Sequence, residues 1–136
     1  MNQNNMKVGW LIFIIVFTIG IVIYALWAKK RLKENHVVTT AAIRACQNGS
    51  RGNAGGFFLN FTITVNGKDY NSSSSYLNNE LSFFAAEKYF VGKTFPAVYY
   101  PSKPSISSLL VTPKNFVKFG YSFPDSLHWV LQYIPK

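Results

Sequence analysis

An uncharged apolar run over residues 9–28 constrains the fold of this chain more than any other feature. A helix rises about 1.5 Å per residue, so the run spans roughly 30 Å, the thickness of a bilayer's hydrocarbon core. Trp10 lies near one end and Tyr24 and Trp27 near the other, as is typical of membrane–water interfaces. A cleavable export signal has a shorter apolar core and a small residue three positions before the cut, where this run has Leu26. The run therefore predicts a retained transmembrane helix.

Positive charges follow this run at once and predict its orientation. Only Lys7 and the terminal amine precede the run. Cations favour the cytoplasmic side, so we expect the domain in the cytoplasm at the inner membrane, with a periplasmic domain as the alternative. The simplest interpretation of the cluster is a stop-transfer signal, and the alternative is a patch for anionic lipid headgroups. The cluster consists of Lys29, Lys30, Arg31 and Lys33.

Composition indicates one small domain beyond the anchor. We divide the chain into a polar tail (1–8), a transmembrane helix (9–28), a basic juxtamembrane linker (29–36) and a domain (37–136). Hydrophobic residues make up 49% of the chain, which is too apolar for a disordered segment. The net charge of +9 is concentrated around the run. Because the domain itself is only modestly basic and poor in arginine, we expect no nucleic-acid partner.

The residues that carry chemistry are few and scattered. Cys46 is the only cysteine, which excludes an intramolecular disulfide and a cysteine-based metal site, and we expect a small buried thiol. His36 and His128 lie far apart, and the acidic residues occur singly. No P-loop, nucleophile elbow or dinucleotide fingerprint is present. The sequence therefore predicts no catalytic residue, metal, cofactor or small-molecule substrate.

The first part of the domain has the pattern of β-strands. Residues 37–46 are rich in β-branched residues and predict a strand, and residues 47–56 are dense in Gly and Asn and predict a long turn. Residues 57–65 alternate with period two, which indicates a half-buried antiparallel strand. Its apolar face carries Phe57, Leu59, Phe61, Ile63 and Val65.

Asn66-Gly67 is the strongest turn signal in the chain. This dipeptide is typical of a type I′ hairpin, in which both residues have positive φ. Such a turn would place Tyr70 opposite Ile63 and, further along, Tyr76 opposite Phe57. Both tyrosines would then cover the apolar face.

A short helix is predicted over residues 78–93, capped by Asn78 or Asn79, with Glu80 in its first turn and Gly92 after its end. Residues 94–100 predict a strand in which Pro96 favours an edge or a first position. A turn at 101–104 and a strand over 105–111 follow. The helix is expected to bury a stripe of Leu77, Leu81, Phe84 and Ala85, with Phe83, Ala86 and Phe90 beside it.

The last residues predict a strand over 115–124 and an amphipathic helix over 124–135. The helix would present Leu127, Val130, Leu131 and Ile134 on one side. The simpler interpretation is that this helix closes the open face of the sheet. In the alternative, it offers Trp129 and Tyr133, which flank the stripe, to the membrane surface or a protein partner.

The order of these pieces resembles the Domain of Unknown Function 3592 family of small bacterial membrane proteins. The resemblance covers about residues 37–112, and it implies a fold and a bacterial membrane location but no activity. Ser102 departs from the family, which often has Asp or Asn there, and members often carry a second membrane segment. The matching positions are Asn66, Gly67, Lys68, Tyr70, Val91, Gly92, Lys93, Val98, Tyr99, Tyr100, Pro101, Pro104, Ser105 and Leu109.

The sequence as a whole predicts an α+β protein, with an N-terminal transmembrane helix followed by a small, mostly antiparallel β domain with one or two short helices. We expect the lipid bilayer and a membrane protein as its partners. The expected function is that of a non-catalytic subunit or scaffold of a bacterial membrane complex, which binds through exposed aromatics and an unpaired sheet edge. The alternative is a membrane-held immunity protein that neutralises a toxin. A third interpretation is a lipid-sensing module built from the basic cluster and the terminal helix.

Overall fold

A computed structural model describes residues 3–49 and 55–136 and begins with one long helix, α1, Gln3–Glu34. This helix is long and apolar enough to cross a membrane. The predicted span over residues 9–28 lies inside it, and its apolar side chains face outward rather than into the protein. The range 29–36, expected as a linker, continues the helix as far as Glu34.

Among the residues that the structure describes, five antiparallel strands follow α1, and they confirm the α+β class. They are β1 Val37–Asn48, β2 Gly56–Val65, β3 Lys68–Leu77, β4 Thr94–Tyr100 and β5 Lys103–Leu109. Their order in the sheet is β3-β2-β1-β4-β5. β1, β2 and β3 form a meander and β4 returns beside β1, which makes a Greek key. The long turn predicted between β1 and β2 lies largely outside the described residues.

The β2–β3 hairpin forms as predicted. Asn66 has a φ of 53° and Gly67 a φ of 79°, as a type I′ turn requires. Ile63 pairs with Tyr70 and Phe57 with Tyr76. Turn chemistry and period-two alternation are both local properties, so the sequence alone was enough to specify this register.

The sheet curls until its two edge strands, β3 and β5, lie side by side. A bulge between Ile43 and Ala45 helps β1 to bend, so that its first half pairs with β4 and its second half with β2. No backbone ladder joins β3 to β5, both of which are fully described. Instead, Leu109 N–H donates to Ser74 Oγ at 3.0 Å. We call this line between β3 and β5 the seam. The sheet edge that we expected to be unpaired and to bind a partner lies along this seam.

The curled sheet forms a small barrel. Its strand order, with a helix between β3 and β4, is that of the OB-fold, which is a five-stranded, partly open Greek-key barrel. This likeness of connectivity concerns the fold and implies no activity. Apolar side chains of the strands and of the helix fill the interior. The largest fully buried side chains include Phe57, Phe61, Phe90, Phe95, Ile43, Leu59, Ile63 and Leu81.

The helix between β3 and β4 begins later than predicted, and one residue of its expected apolar stripe is exposed. It comprises α2, Phe83–Ala85, which continues as a π-helical turn, Ala86–Phe90. Ser82 caps it rather than Asn78 or Asn79, because the Glu80 carboxylate accepts the Leu77 N–H and holds residues 78–81 in a turn. Leu81, Ala85, Ala86 and Phe90 are buried, as expected of the stripe and its neighbours, but Phe84 is exposed.

Pro96 lies inside β4, between β1 and β5, so the expectation of an edge or first position was wrong. Its carbonyl accepts the Leu110 N–H at 2.8 Å. The amide and carbonyl of one strand residue point to the same side, so the ring nitrogen points away from β1. The nitrogen faces the side of β5 at a point where the pairing between β4 and β5 has ended. The missing N–H of Pro96 therefore removes no hydrogen bond between strands.

The last part of the chain is helical where a strand was predicted. α3, Pro113–Lys118, is capped by Thr112, whose side chain and that of Asn115 form a capping box. Residues Asp125–Tyr133 form a 3₁₀-helix rather than an α-helix. Three residues per turn bury Leu127 and Val130 on one line and turn Leu131 outward.

Candidate functional site

The C-terminal end of α1 packs directly on the barrel. Leu32 is only 7% exposed and belongs to the barrel's core cluster. The Trp27 ring meets Tyr100 edge-on, with 6.2 Å between centroids. The Lys103 ammonium donates to the Tyr24 hydroxyl and lies 5.1 Å from the centre of that ring. The β4–β5 turn therefore lies beside the aromatic residues near the C-terminal end of α1.

His36 makes a second attachment just after α1. Its Nδ1 lies 3.0 Å from the Leu32 carbonyl oxygen, and its Nε2 lies 2.8 Å from the Tyr121 hydroxyl. Because a carbonyl only accepts, Nδ1 carries the hydrogen, and Nε2 of the neutral ring accepts from Tyr121. The ring also lies edge-on to Phe119 at 5.3 Å. Contacts on both sides of Glu34 thus hold the end of α1 in place.

The basic cluster at the end of α1 lies on the surface. The Arg31 guanidinium lies 5.8 Å above the Trp27 ring. Lys30 lies 3.9 Å from the Glu34 carboxylate, and both side chains are more than half exposed, so this pair adds little stability. Trp10, near the other end of the predicted span, is 68% exposed, as a lipid-facing aromatic would be. The exposed cations are Lys29, Lys30, Arg31 and Lys33.

A polar groove of about 320 Å³ runs along the seam next to this cluster. Among the described residues that line it, two are lysines, Lys29 and Lys118, and none is acidic. Serines of both edge strands supply most of its hydroxyl groups. We call it the seam groove; its lining consists of residues 28, 29 and 32 of α1, 73–76 of β3, 105–108 of β5, and 115 and 118 of α3.

Two side chains of the seam groove have unused hydrogen-bonding capacity. Asn115 Oδ1 accepts from the Tyr76 hydroxyl at 2.9 Å and from the Val111 and Thr112 amides at 3.1 Å, which leaves its amide NH₂ for a ligand. The Ser107 hydroxyl oxygen is buried and has no hydrogen-bond partner among the described residues. Burial raises the pKa of Tyr76 far above its usual range, so this hydroxyl stays a donor.

The residues examined for catalysis do not come together in the described part of the chain. Cys46 is half-buried, and burial, followed by the charge of Glu87, raises its pKa to about 11, which makes it a weak nucleophile. His128 lies 3.3 Å from Asp125 at the surface. Within residues 3–49 and 55–136, no group of three metal-ligating side chains is found.

Trp129 and Tyr133 pack against the end of the barrel. Both rings contact Phe90, at centroid distances of 5.3 Å and 6.0 Å. The Lys93 ammonium lies 4.5 Å above the Trp129 ring, and Tyr89 stacks on Tyr133 at 5.1 Å. The terminal helix therefore closes this end of the barrel, and only part of each ring faces solvent.

Sequence reasoning missed a set of exposed apolar residues at one end of the barrel, which we call the distal patch: Phe58, Leu77 and Phe84. Phe84 is 80% exposed and Leu77 50%. β3 and β5 run parallel, so Leu77 at the end of β3 lies at the barrel end opposite Lys103, which touches the anchor. The helical periodicity had assigned Leu77 and Phe84 to the core, but Leu77 ends β3 and lies outside the helix, and the Phe84 side chain faces solvent.

Comparison with protein-family models, with curated proteins and with solved structures finds no match to this chain. The resemblance to the Domain of Unknown Function 3592 family therefore stays a prediction. The features of the molecule that bear on function are the contacts between α1 and the barrel, the seam groove and the distal patch.

Proposed function

We propose that this chain is a single-pass membrane protein whose barrel acts by binding, as an accessory subunit or scaffold of a bacterial membrane complex. The observation that carries the proposal is the burial of Leu32, at the end of the apolar helix, in the core of the barrel. Burial of a leucine side chain stabilises a contact by about 1.5–3 kcal/mol. A domain tethered only to reach distant ligands would not need this contact. In contrast, a domain that must present one face at a fixed height above a bilayer needs such a contact.

The location that we propose is the inner membrane, with the barrel in the cytoplasm. Support comes from the exposed cations of the last two turns of α1, which follow the apolar segment directly. Positive charges flanking a span are retained on the cytoplasmic side. The lipid bilayer is then the first partner of the chain.

The distal patch is the surface that we propose for a protein partner. Exposed apolar groups that lie together on an otherwise polar surface mark interaction sites, and aromatic residues dominate their energetics. Phe84 projects from the barrel end away from the anchor and is 80% exposed. A partner that reaches this patch would be an apolar surface on another subunit of the membrane complex.

Co-purification from membranes tests the proposed function. The full chain, with an affinity tag, is solubilised in mild detergent, and Phe84→Ser is compared with Val117→Ser. Val117 is a matched control, because it is 72% exposed but lies on α3. We expect a stoichiometric membrane partner with the wild type and the control, and its loss with Phe84→Ser. Absence of a stoichiometric partner, or equal loss in both variants, contradicts the proposal.

Reporter fusions after Lys136 test the orientation. One reporter works only in the cytoplasm and the other only outside it. We expect activity from the cytoplasmic reporter. Activity from the external reporter would place the barrel in the periplasm and put the toxin-neutralising alternative first.

A further inference from the structure

We infer that the seam groove binds the phosphate group of an anionic phospholipid headgroup. The inference rests on the proposed membrane anchoring of α1 and adds a ligand to it. It concerns one groove, with its own lining residues, rather than the general attraction of a basic helix end to a charged membrane surface.

The position of the groove matches the depth of lipid headgroups. Ala28 is the last residue of the predicted span and Lys29 the first cation after it, and both line the groove. With residues 9–28 in the hydrocarbon core, this lining lies at the polar boundary of the bilayer. The nearby aromatics Tyr24 and Trp27, which touch the β4–β5 turn, are residues typical of the same boundary.

The charge of the groove favours an anion. Lys29 comes from α1 and Lys118 from α3, so two separate elements bring cations to one cavity. Among the described lining residues no carboxylate neutralises them. A phosphate diester with an uncharged headgroup would be attracted by both lysines, whereas a choline group would bring a third positive charge beside them.

The hydrogen-bonding groups of the groove match phosphate oxygens. The buried Ser107 hydroxyl has no partner within residues 3–49 and 55–136, which is unfavourable in the empty groove, and a ligand oxygen would accept from it. The amide NH₂ of Asn115 is a second donor, because its own oxygen is already occupied by three donors. Serine hydroxyls on both edge strands complete a lining of donors without acidic acceptors.

An inserted β-strand from a protein partner does not fit the same place. Ser74 Oγ already accepts the Leu109 N–H, and the Tyr76 hydroxyl reaches the Leu109 carbonyl oxygen at 3.4 Å. Side chains of β3 thus bridge directly to the backbone of β5. A further strand needs about 4.8 Å on each side, which this approach does not leave.

The test measures lipid binding to the full chain in detergent micelles by native mass spectrometry. Phosphatidylglycerol is the probe, phosphatidylcholine the zwitterionic comparator, and inorganic phosphate the soluble source of the same group. Lys29→Gln/Lys118→Gln removes the groove cations. Lys30→Gln/Lys33→Gln removes the same charge from neighbouring positions on α1 that do not line the groove.

We expect the wild type to prefer phosphatidylglycerol over phosphatidylcholine. The groove variant should weaken phosphatidylglycerol binding by about tenfold, and the control variant by about twofold or less. Ser107→Ala retains every charge and should also weaken binding while circular dichroism stays unchanged.

Three outcomes would overturn the inference: equal weakening in the two double variants, equal binding of both lipids, or displacement of phosphatidylglycerol by inorganic phosphate at comparable concentration. Alkaline extraction of membranes separates this failure from that of the proposed function. A chain that stays in the extracted membranes but fails the lipid test retains its anchor and loses only the groove ligand. A chain released by alkali contradicts the anchoring itself.

Discussion

Leu32→Ala tests whether the anchor and the barrel form one folded unit. Leu32 is 7% exposed and packs in the barrel core. The side-chain carbons that this substitution removes contribute about 2.4 kcal/mol to the free energy of unfolding, at roughly 0.8 kcal/mol each. The cavity left behind lowers the stability further. Because one side of the site borders the open seam groove, neighbouring side chains can relax into it. We therefore expect a loss of about 2–3 kcal/mol in the free energy of unfolding.

Denaturant titration of the full chain in detergent micelles measures this loss. Tryptophan fluorescence reports on Trp27, against Tyr100, and on Trp129, against Phe90. If anchor and barrel unfold together, both environments change in a single transition, which moves to lower denaturant in the variant. With an ordinary slope of about 1–3 kcal/mol per molar urea, the midpoint should fall by roughly 1 M or more.

Leu26→Ala is the matched control for this prediction. Leu26 lies on the same helix but is 62% exposed, so the micelle rather than the barrel surrounds it. Its replacement should leave the barrel transition within about 0.5 kcal/mol of the wild type. Equal midpoints for the two variants would refute the reasoning, because Leu32 would then contribute nothing to the barrel. Two separate transitions in the wild type would refute it as well.

Two further predictions concern ionisable groups whose pKa is raised by burial. Tyr76→Phe should lower the free energy of unfolding by about 1 kcal/mol, because the bond to Asn115 is lost. Burial raises the pKa of Tyr76, so its contribution is complete below the ordinary tyrosine pKa of about 10 and declines as pH rises above it. Urea titrations from about pH 8 to 11 should therefore show a shallower alkaline decline in Tyr76→Phe, and parallel curves would contradict this. Alkylation of Cys46 by iodoacetamide should keep accelerating above about pH 10, because its pKa is raised to about 11. Glu87→Gln should lower that pKa slightly, since burial is the larger cause, and a rate plateau near the ordinary value of about pH 8.5 would refute the assignment.

For the candidate sites, prediction from sequence succeeded where a short pattern was sufficient. The aromatics and cations at the ends of the span could be named from sequence, but their contacts with the barrel could not. Tyr24 lies 79 positions from Lys103 in the chain, and no local pattern joins them. The seam groove was missed for the same reason, since its lining combines α1, β3, β5 and α3. Isolated serines and lysines carried no signal until the fold brought them together.

The sequence by itself determined the long apolar helix, the α+β class and the register of the β2–β3 hairpin. These features depend on neighbours within a few residues, on the hydrophobic period and on the backbone preference of Asn66-Gly67. Only the tertiary structure decided that Phe84 is exposed, where β4 lies, and how far the sheet curls. Curvature arises from the bulge in β1 together with long-range packing, so the meeting of β3 and β5 is not encoded in either strand alone. The seam groove forms only where β3 and β5 meet, so it depends on the closure of the barrel.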